Sequence, residues 1–313
     1  MGAQSASNTA AFRSGFIAVI GRPNMGKSTF LNRVLGQKVA IVTPKAQTTR
    51  SRILGVCHRK NCQMVFLDTP GIHHAGGNRL NQTMVKTAYD ACREVDHILL
   101  LVDLPDGMKE ADFDIVDQLI KRPGTTPTIT LLINKIDDLS ADERHAFDFA
   151  LREIDPEISA LFDRIIPISA KHGNGVKDVL THLKNKMPVG PHYFPEDQIT
   201  DQPERFIAAE IVREKLFLNL RQELPYDLAV VTESYKEEGK ILHLHVAIWV
   251  TRDSQKGMVI GRKGAILKKV GEAARKEMER LLNTRIYLQL WVQVKKDWSR
   301  RDSMLRELGY LDS

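Results

Sequence analysis

The chain has 313 residues, 42% of them apolar and 27% charged, which is typical of a globular protein and enough for about two domains. Its three cysteines cannot form a disulfide framework, and no apolar run reaches the ~18 residues of a membrane-spanning helix. The composition excludes a disulfide-stapled scaffold and an integral membrane protein, and it predicts a reducing, cytoplasmic location. The net charge is +6, and residues 256–285 alone hold 9 basic and 3 acidic residues. Such an excess suits either a polyanion partner or a solvated basic helix face.

The first half of the chain alternates short apolar runs with helical patterns. Strands are predicted at 16–20, 64–67, 98–102, 129–133 and 165–168, and helices at 27–36, 80–91, 112–120, 141–152 and 176–186. This alternation predicts a doubly wound, mostly parallel α/β sheet, which binds ligands at the carboxyl ends of its strands. We expect a disordered tail at 1–13, this domain at 14–187 and a proline-rich linker at 188–203.

A phosphate-binding loop follows the first predicted strand. Residues 21–28 fit the pattern G-x-x-x-x-G-K-[ST], between a strand and a helix. Glycines let the backbone N–H groups turn towards phosphate oxygens, Lys27 reaches the terminal phosphates, and the Ser28 hydroxyl is a ligand for Mg²⁺. The predicted nucleotide-binding residues of this segment are Gly21, Asn24, Met25, Gly26, Lys27, Ser28 and Thr29.

Two further loops complete a guanine-nucleotide pattern. Asp68 ends a predicted strand, where a carboxylate suits the Mg²⁺ side of the site, and Gly71 can offer its N–H to the γ-phosphate. After the next strands come Asn134, Lys135 and Asp137, then Ser169, Ala170 and Lys171. A carboxylate at Asp137 accepts two hydrogen bonds from guanine, whereas adenine would leave it unpaired. The sequence thus predicts a P-loop protein that selects GTP and GDP.

These motifs resemble the translation-factor-like GTPases over about residues 14–187. The resemblance implies a switch threonine that is a ligand for Mg²⁺ at Thr49, with Thr48 as the alternative, and catalytic roles for Lys27, Thr49 and Gly71. Ile72 stands where Ras-like enzymes carry a water-orienting glutamine, so intrinsic hydrolysis should be slow unless another group, with His73 and His74 as candidates, orients the water. Relatives with Gly-Arg-Pro-Asn loops hold K⁺ with an asparagine, here Asn24.

The second half has a helix, strand, strand, helix, helix, strand order from about residue 204. Residues 259–264 read Val-Ile-Gly-Arg-Lys-Gly, which we expect to lie between an apolar strand and an amphipathic helix. Such a loop approaches a nucleic-acid backbone closely and offers two cations to phosphates. The unit at 204–313, with a C-terminal tail, resembles a smaller α+β KH type II domain. Its predicted RNA-binding residues are Gly261, Arg262, Lys263, Gly264, Lys268 and Lys269.

A type II KH domain behind this GTPase domain resembles the Era family of ribosome-assembly GTPases. Further matches lie at 45–50, 193–197, 223–226, 291–295 and 308–310. The resemblance implies a monomer that binds the 3′ end of 16S rRNA, acts in maturation of the small (30S) ribosomal subunit, and in some members associates peripherally with the inner face of the cell membrane.

Three other functions share parts of this pattern. A metabolic kinase would use a P-loop but would not need Asn-Lys-x-Asp. A GTPase of tRNA modification or large-subunit assembly would carry a different accessory domain. An RNA-binding scaffold with a structural nucleotide would not turn over GTP even with RNA and K⁺ present.

Overall fold

The computed structural model describes residues 11–72, 79–93, 95–104, 107–121, 127–140, 142–143, 147, 155–221 and 223–311. The first part of the chain forms a six-stranded sheet in the order β2-β3-β1-β4-β5-β6, in which only β2 is antiparallel. The strands are β1 Arg13–Ile20, β2 Ile53–Arg59, β3 Cys62–Asp68, β4 His97–Asp103, β5 Thr128–Asn134 and β6 Arg164–Pro167. The helices are α1 Lys27–Leu35, α2 Arg79–Asp90, α3 Glu110–Ile120, α4 Pro156–Ser159 and α5 Val176–Lys186.

This sheet is buried on both faces, which explains its continuous apolar strands. Along β1, Ile17 and Val19 pack into one apolar cluster with α1 and α5, while Ala18 and Ile20 pack into another with α3. The predicted doubly wound, mostly parallel sheet is confirmed. The predicted helix at 141–152 lies largely outside the described residues.

The second part of the chain is an α+β unit with a three-stranded sheet in the order β7-β8-β9. The elements are α6 Glu204–Asn219, β7 Ala229–Glu238, β8 Ile241–Val250, α7 Asp253–Ile260, α8 Ala265–Leu282, β9 Arg285–Val294 and α9 Asp302–Glu307. β7 and β8 are antiparallel, and β8 and β9 are parallel. The predicted order of helices and strands is confirmed, but loop 261–264 lies between the helices α7 and α8 and not directly between an apolar strand and a helix, as expected. Helix α7 is favoured because Gln255 accepts hydrogen bonds from the backbone at Thr251 and Arg252, before its first turn.

The segment predicted as a linker packs along the edge of the first sheet. Thr200 bridges Gly55 of β2, and Val189 bridges Arg13 of β1. After β9, a turn at Trp298–Arg300 and helix α9 cover part of the second sheet, with the Trp298 side chain fully buried. Among the described helices, none combines the length and apolarity that crossing a bilayer requires.

Candidate nucleotide and nucleic-acid sites

The loop at 21–28 turns directly from β1 into α1. Gly26 has φ 94°, in the left-handed region that favours glycine, and it immediately precedes the helix. The Lys27 amino group is buried and donates to the carbonyls of Gly21 and Arg22, both at 2.9 Å. Burial lowers the pKa of Lys27 to about 8, against the opposing attraction of nearby carboxylates. A buried cation held by loop carbonyls is well suited to bind phosphate oxygens.

Two hydroxyl groups and one carboxylate meet at the N-terminal end of α1. The Ser28 hydroxyl donates to Asp68 Oδ2 at 2.6 Å and lies 2.8 Å from the Thr49 hydroxyl. Asp68 is fully buried, and its Oδ1 has no hydrogen-bond partner among the residues that the structure describes. Burial raises the pKa of Asp68 to about 6. This cluster of oxygens, with one orphaned carboxylate oxygen, fits a hard cation such as Mg²⁺.

Of the two candidate switch threonines, Thr49 lies in this cluster. The Thr48 hydroxyl instead contacts the Thr43 hydroxyl at 2.7 Å and donates to the Lys45 carbonyl at 2.7 Å. Thr49 is 7% exposed, so its hydroxyl is held inside the site and away from solvent.

Asn134 joins three loops of the site. Its amide nitrogen donates to the Met25 carbonyl at 2.8 Å, and its amide oxygen accepts from the Ala170 N–H at 2.9 Å. A Cβ atom at Gly26 would lie 2.2 Å from the same amide nitrogen. Asn134 therefore fixes the phosphate loop relative to the loops that the sequence assigns to the base.

The predicted base-binding groups lie together beside Asn134. Burial alone would raise the pKa of Asp137, but the Ser169 hydroxyl and the charge of Lys171 contribute to a net lowering. Asp137 is therefore ionised and able to accept hydrogen bonds. Lys135 has φ 68° and donates to Asp103 Oδ2 at 2.6 Å, and this bond fixes the direction of its side chain.

A cavity of about 570 Å³ connects the phosphate and base loops. The predicted residues that line it are Asn24, Gly26, Lys27, Ser28, Thr29, Thr49, Gly71, Asn134, Lys135, Asp137, Ala170 and Lys171. The other predicted residues, Gly21, Met25, Asp68 and Ser169, are buried and do not line it. The sequence analysis missed the lining at Pro23, at 41–44, at Gln47 and at Asp138, and no residue pattern in the sequence marks these positions.

The loop after β3 touches the phosphate loop. A Cβ atom at Gly71 would lie 2.7 Å from the Pro23 backbone, so only glycine allows this approach. The Ile72 N–H donates to the Gly21 carbonyl at 3.1 Å, and the Ile72 side chain is buried in the apolar cluster on the α3 face. His73 and His74, the candidates for orienting water, lie outside the described residues.

The second predicted site is the tight loop between α7 and α8. Gly261 has φ 75° and Gly264 has φ 77°, and a Cβ atom at Gly261 would lie 2.7 Å from the Ile266 side chain. Arg262 and Lys263 between them are exposed, and within the described part of the chain no hydrogen bond or ion pair is found for their side chains. The loop thus presents two free cations on a backbone that a phosphate can approach.

Helix α8 extends this basic surface. Lys268 and Lys269 are exposed on it, whereas Val270, Ala274 and Met278 are fully buried against the second sheet. All six predicted RNA-binding residues therefore lie on the loop and on the first turns of one helix.

Comparison with known proteins identifies both halves of the chain. A family model described as 50S ribosome-binding GTPase matches residues 16–135, and one described as KH domain matches residues 223–299. GTPase Era of Geobacter metallireducens is 49% identical over 306 residues, which cover 96% of this chain and 98% of that protein. GTPase Era of Syntrophus aciditrophicus is 45% identical over 301 residues, which cover 96% and 95% respectively.

Two solved structures agree over the whole chain. The crystal structure of an Aquifex aeolicus Era variant bound to GDP·AlF₄⁻ matches with a TM-score of 0.88 and 39% identity, covering 96% of this chain and 100% of that one. A crystal structure of Era in complex with MgGDPNP and nucleotides 1506–1542 of 16S ribosomal RNA matches with the same TM-score, identity and coverage. With its P-loop domain and its KH domain in the same order, this chain belongs to the Era family and is a GTPase.

Proposed function

We propose that this GTPase binds the 3′ end of 16S rRNA through loop 261–264 and helix α8, and that it acts in maturation of the small ribosomal subunit. The observation that carries the proposal is the pair of exposed, unpaired cations Arg262 and Lys263 between two glycines with positive φ. In KH domains such a loop clamps the backbone of single-stranded RNA. The relative crystallised with nucleotides 1506–1542 of 16S rRNA supports the choice of RNA.

In the first domain, the proposed roles follow from position and chemistry. Lys27 exchanges its bonds to loop carbonyls for oxygens of the β- and γ-phosphates, and Gly71 offers its N–H to the γ-phosphate. Asp137 accepts from guanine, with Ser169 and Lys171 beside it. Asn134 holds these loops in register.

Ser28, Thr49 and Asp68 would hold Mg²⁺. Bound there, the ion neutralises charge on the phosphates during transfer. The orphaned Oδ1 of Asp68 supports this assignment, since a buried carboxylate oxygen without a partner is costly. Burial raises the pKa of Asp68 to about 6 despite the nearby Lys27 charge, so a proton and a metal ion should compete for this carboxylate near pH 6.

Intrinsic hydrolysis should be slow, since the Ile72 side chain is apolar and buried. We propose that K⁺ supplements the charge at the phosphates through Asn24. In support, the Asn24 amide nitrogen donates to the Pro44 carbonyl at 3.2 Å, so a backbone carbonyl oxygen that K⁺ could take as a ligand lies beside Asn24. The test is a comparison of GTP hydrolysis in K⁺ and Na⁺, with Asn24→Ala removing any difference.

GTP binding and RNA binding should be coupled. GTP and Mg²⁺ order the switch segments, and the ordered state favours a domain arrangement in which the KH groove accepts RNA. By linkage, RNA then tightens GTP binding by the same factor that GTP tightens RNA binding. The domain limits at 14–187 and 204–313, the monomeric state, the cytoplasmic location and peripheral membrane association stay predictions.

The direct test is binding of a short single strand with the sequence of the 16S rRNA 3′ end. Affinity is measured with GDP and with a non-hydrolysable GTP analogue, for wild type and for Gly261→Asp/Gly264→Asp. We expect tight binding with the analogue, weaker binding with GDP and loss in the variant. Equal RNA affinity with both nucleotides would refute the proposed coupling. Equal RNA affinity of wild type and Gly261→Asp/Gly264→Asp would refute RNA binding through loop 261–264.

A further inference from the structure

The loop between α1 and β2 (residues 36–52, the switch loop) is held from both domains, with Asn32 of α1 bonded to its backbone at residues 39 and 40. Lys38 donates to Glu214 of α6 at 2.7 Å, and the Val42 N–H donates to the same carboxylate at 3.0 Å. The Lys45 amino group donates to the Leu220 carbonyl. Between α1 and β2 the switch loop contains no helix or strand, so these contacts supply much of what fixes its path.

Two contacts to the second domain flank Thr49. On one side, the Arg213 guanidinium of α6 donates to the Thr48 carbonyl. On the other side, Arg50 donates to the carbonyls of Pro225, Tyr226 and Leu228. The residue that lies beside Ser28 is therefore attached to the second domain through both of its neighbours.

Arg213 is built for this contact. Its side chain is fully buried, and the same guanidinium nitrogen that reaches Thr48 also donates to Glu210 Oε2 at 2.5 Å. Its Nε donates to the other Glu210 oxygen at 2.7 Å. The carboxylate pre-orients the planar guanidinium, so the position of the Thr48 carbonyl is set by helix α6 with little freedom.

We propose that Arg213 is a positioning residue for GTP hydrolysis, which holds the Thr48 carbonyl so that the Thr49 hydroxyl stays with Ser28 and Asp68. The proposal rests on the proposed role of Thr49 at the metal. The phosphate loop and the base loops are positioned by strands of the first domain, whereas the Thr49 side of the site is positioned from the second domain. A nucleotide without a γ-phosphate makes little use of the switch threonine, so GDP affinity should not depend on Arg213.

The experiment compares wild type, Arg213→Gln, Arg213→Lys and Thr49→Ala. We measure kcat and KM for GTP hydrolysis, the Mg²⁺ concentration at half-maximal rate, and GDP affinity. For Arg213→Gln we expect kcat to fall about tenfold and the Mg²⁺ requirement to rise about tenfold, as for loss of one charge-assisted hydrogen bond, with GDP affinity within about twofold of wild type. Arg213→Lys keeps a cation beside Glu210, so its kcat and Mg²⁺ requirement should lie between those of wild type and Arg213→Gln.

Arg205→Gln is the matched control. Arg205 lies on the same helix and donates to the carbonyl of Thr232 at 2.8 Å, inside the second domain. It should hydrolyse GTP like wild type. If Arg213→Gln does not fold, Arg213→Lys decides: a wild-type kcat and Mg²⁺ requirement for the lysine variant overturns the proposal.

Thr49→Ala separates the proposed role of Thr49 at the metal from the proposed positioning role of Arg213. Normal hydrolysis by Thr49→Ala would remove the proposed role of Thr49 at the metal, and the inference about Arg213 with it. If Thr49→Ala is impaired but Arg213→Gln hydrolyses GTP like wild type, the positioning role of Arg213 is refuted and the proposed nucleotide site stands.

Discussion

Replacing Arg50 with Met should break the contact between the two domains without removing any residue of the nucleotide cavity. Arg50 is 2% exposed, its shortest hydrogen bond reaches the Leu228 carbonyl at 2.6 Å, and its guanidinium lies 5.8 Å and 5.7 Å from the ring centroids of Phe217 and Trp298. Methionine restores the apolar contact but leaves three carbonyls without this donor. Losing buried hydrogen bonds to a charged group in this way costs on the order of 3 kcal/mol, a large part of the ~5–15 kcal/mol that stabilises a typical protein.

The assay is urea unfolding with two probes. All three tryptophans of the chain, Trp249, Trp291 and Trp298, lie after residue 203, so intrinsic fluorescence follows the second domain. A fluorescent GDP derivative follows the first domain. We expect Arg50→Met to move the tryptophan transition to lower urea, with the free energy of unfolding lowered by the amount given above. The control is Arg52→Met, because Arg52 is exposed and such surface changes cost less than about 0.5 kcal/mol. A shift for Arg50→Met no larger than for Arg52→Met would refute the reasoning.

Three further expectations concern single groups. Gly26→Ala should lower GDP affinity at least about 100-fold by calorimetry, since its Cβ would lie 2.2 Å from the Asn134 amide nitrogen; affinity near wild type would contradict the close packing of these loops. Because the folded pKa of Asp68 is about 6 against an ordinary 3.8, the folded protein binds more protons between these values, and the nucleotide-free protein should lose about 3 kcal/mol of stability as pH rises through this window. Urea unfolding midpoints measured from pH 4 to 7.5 test this. The midpoint of Asp68→Asn should change less with pH than that of wild type, and an equal change in both would disprove it. Arg262→Ala/Lys263→Ala should weaken RNA binding and reduce the slope of log affinity against log salt by about 1.4, or ~0.7 per lost phosphate contact; an unchanged slope would mean that the two cations do not meet phosphates.

The sequence predicted the first domain closely because its loops follow buried parallel strands. The carboxyl ends of such strands meet at one edge of a sheet, so motifs at residues 21–28, 68, 134 and 169 had to converge. The choice of Thr49 over Thr48 could not be derived from local pattern, since both are switch-segment threonines of similar chemistry. Which hydroxyl turns inward depends on the backbone path, which distant carbonyls and Arg213 set.

Sequence reasoning failed where long-range contacts decide the conformation. A buried arginine that donates to backbone carbonyls leaves no motif, because any residue supplies a carbonyl, and so the role of Arg50 between the domains was not predicted. The loop at 261–264 was expected directly after an apolar strand, although the short helix Asp253–Ile260 separates it from β8. An apolar run as short as the one that ends this helix does not distinguish a helix from a strand. The proline-rich segment suggested a free linker, although its backbone pairs with a sheet edge.

The attachment of that segment to the sheet restricts how the domains can move. The segment is still bonded to β2 at residues 199 and 200. The Val56 N–H donates to the Ile199 carbonyl at 2.8 Å, and the Thr200 side-chain hydroxyl donates to the Leu54 carbonyl at 2.6 Å. Helix α6 begins at Glu204. Only residues 201–203 remain as a tether, and three extended residues span about 10 Å. While these bonds hold, the second domain can rotate about one corner of the first but cannot travel away from it. If nucleotide exchange rotates the second domain, an RNA strand bound at loop 261–264 would move along an arc around that corner. The rotation angle, and not the length of a linker, would then set how far the RNA moves.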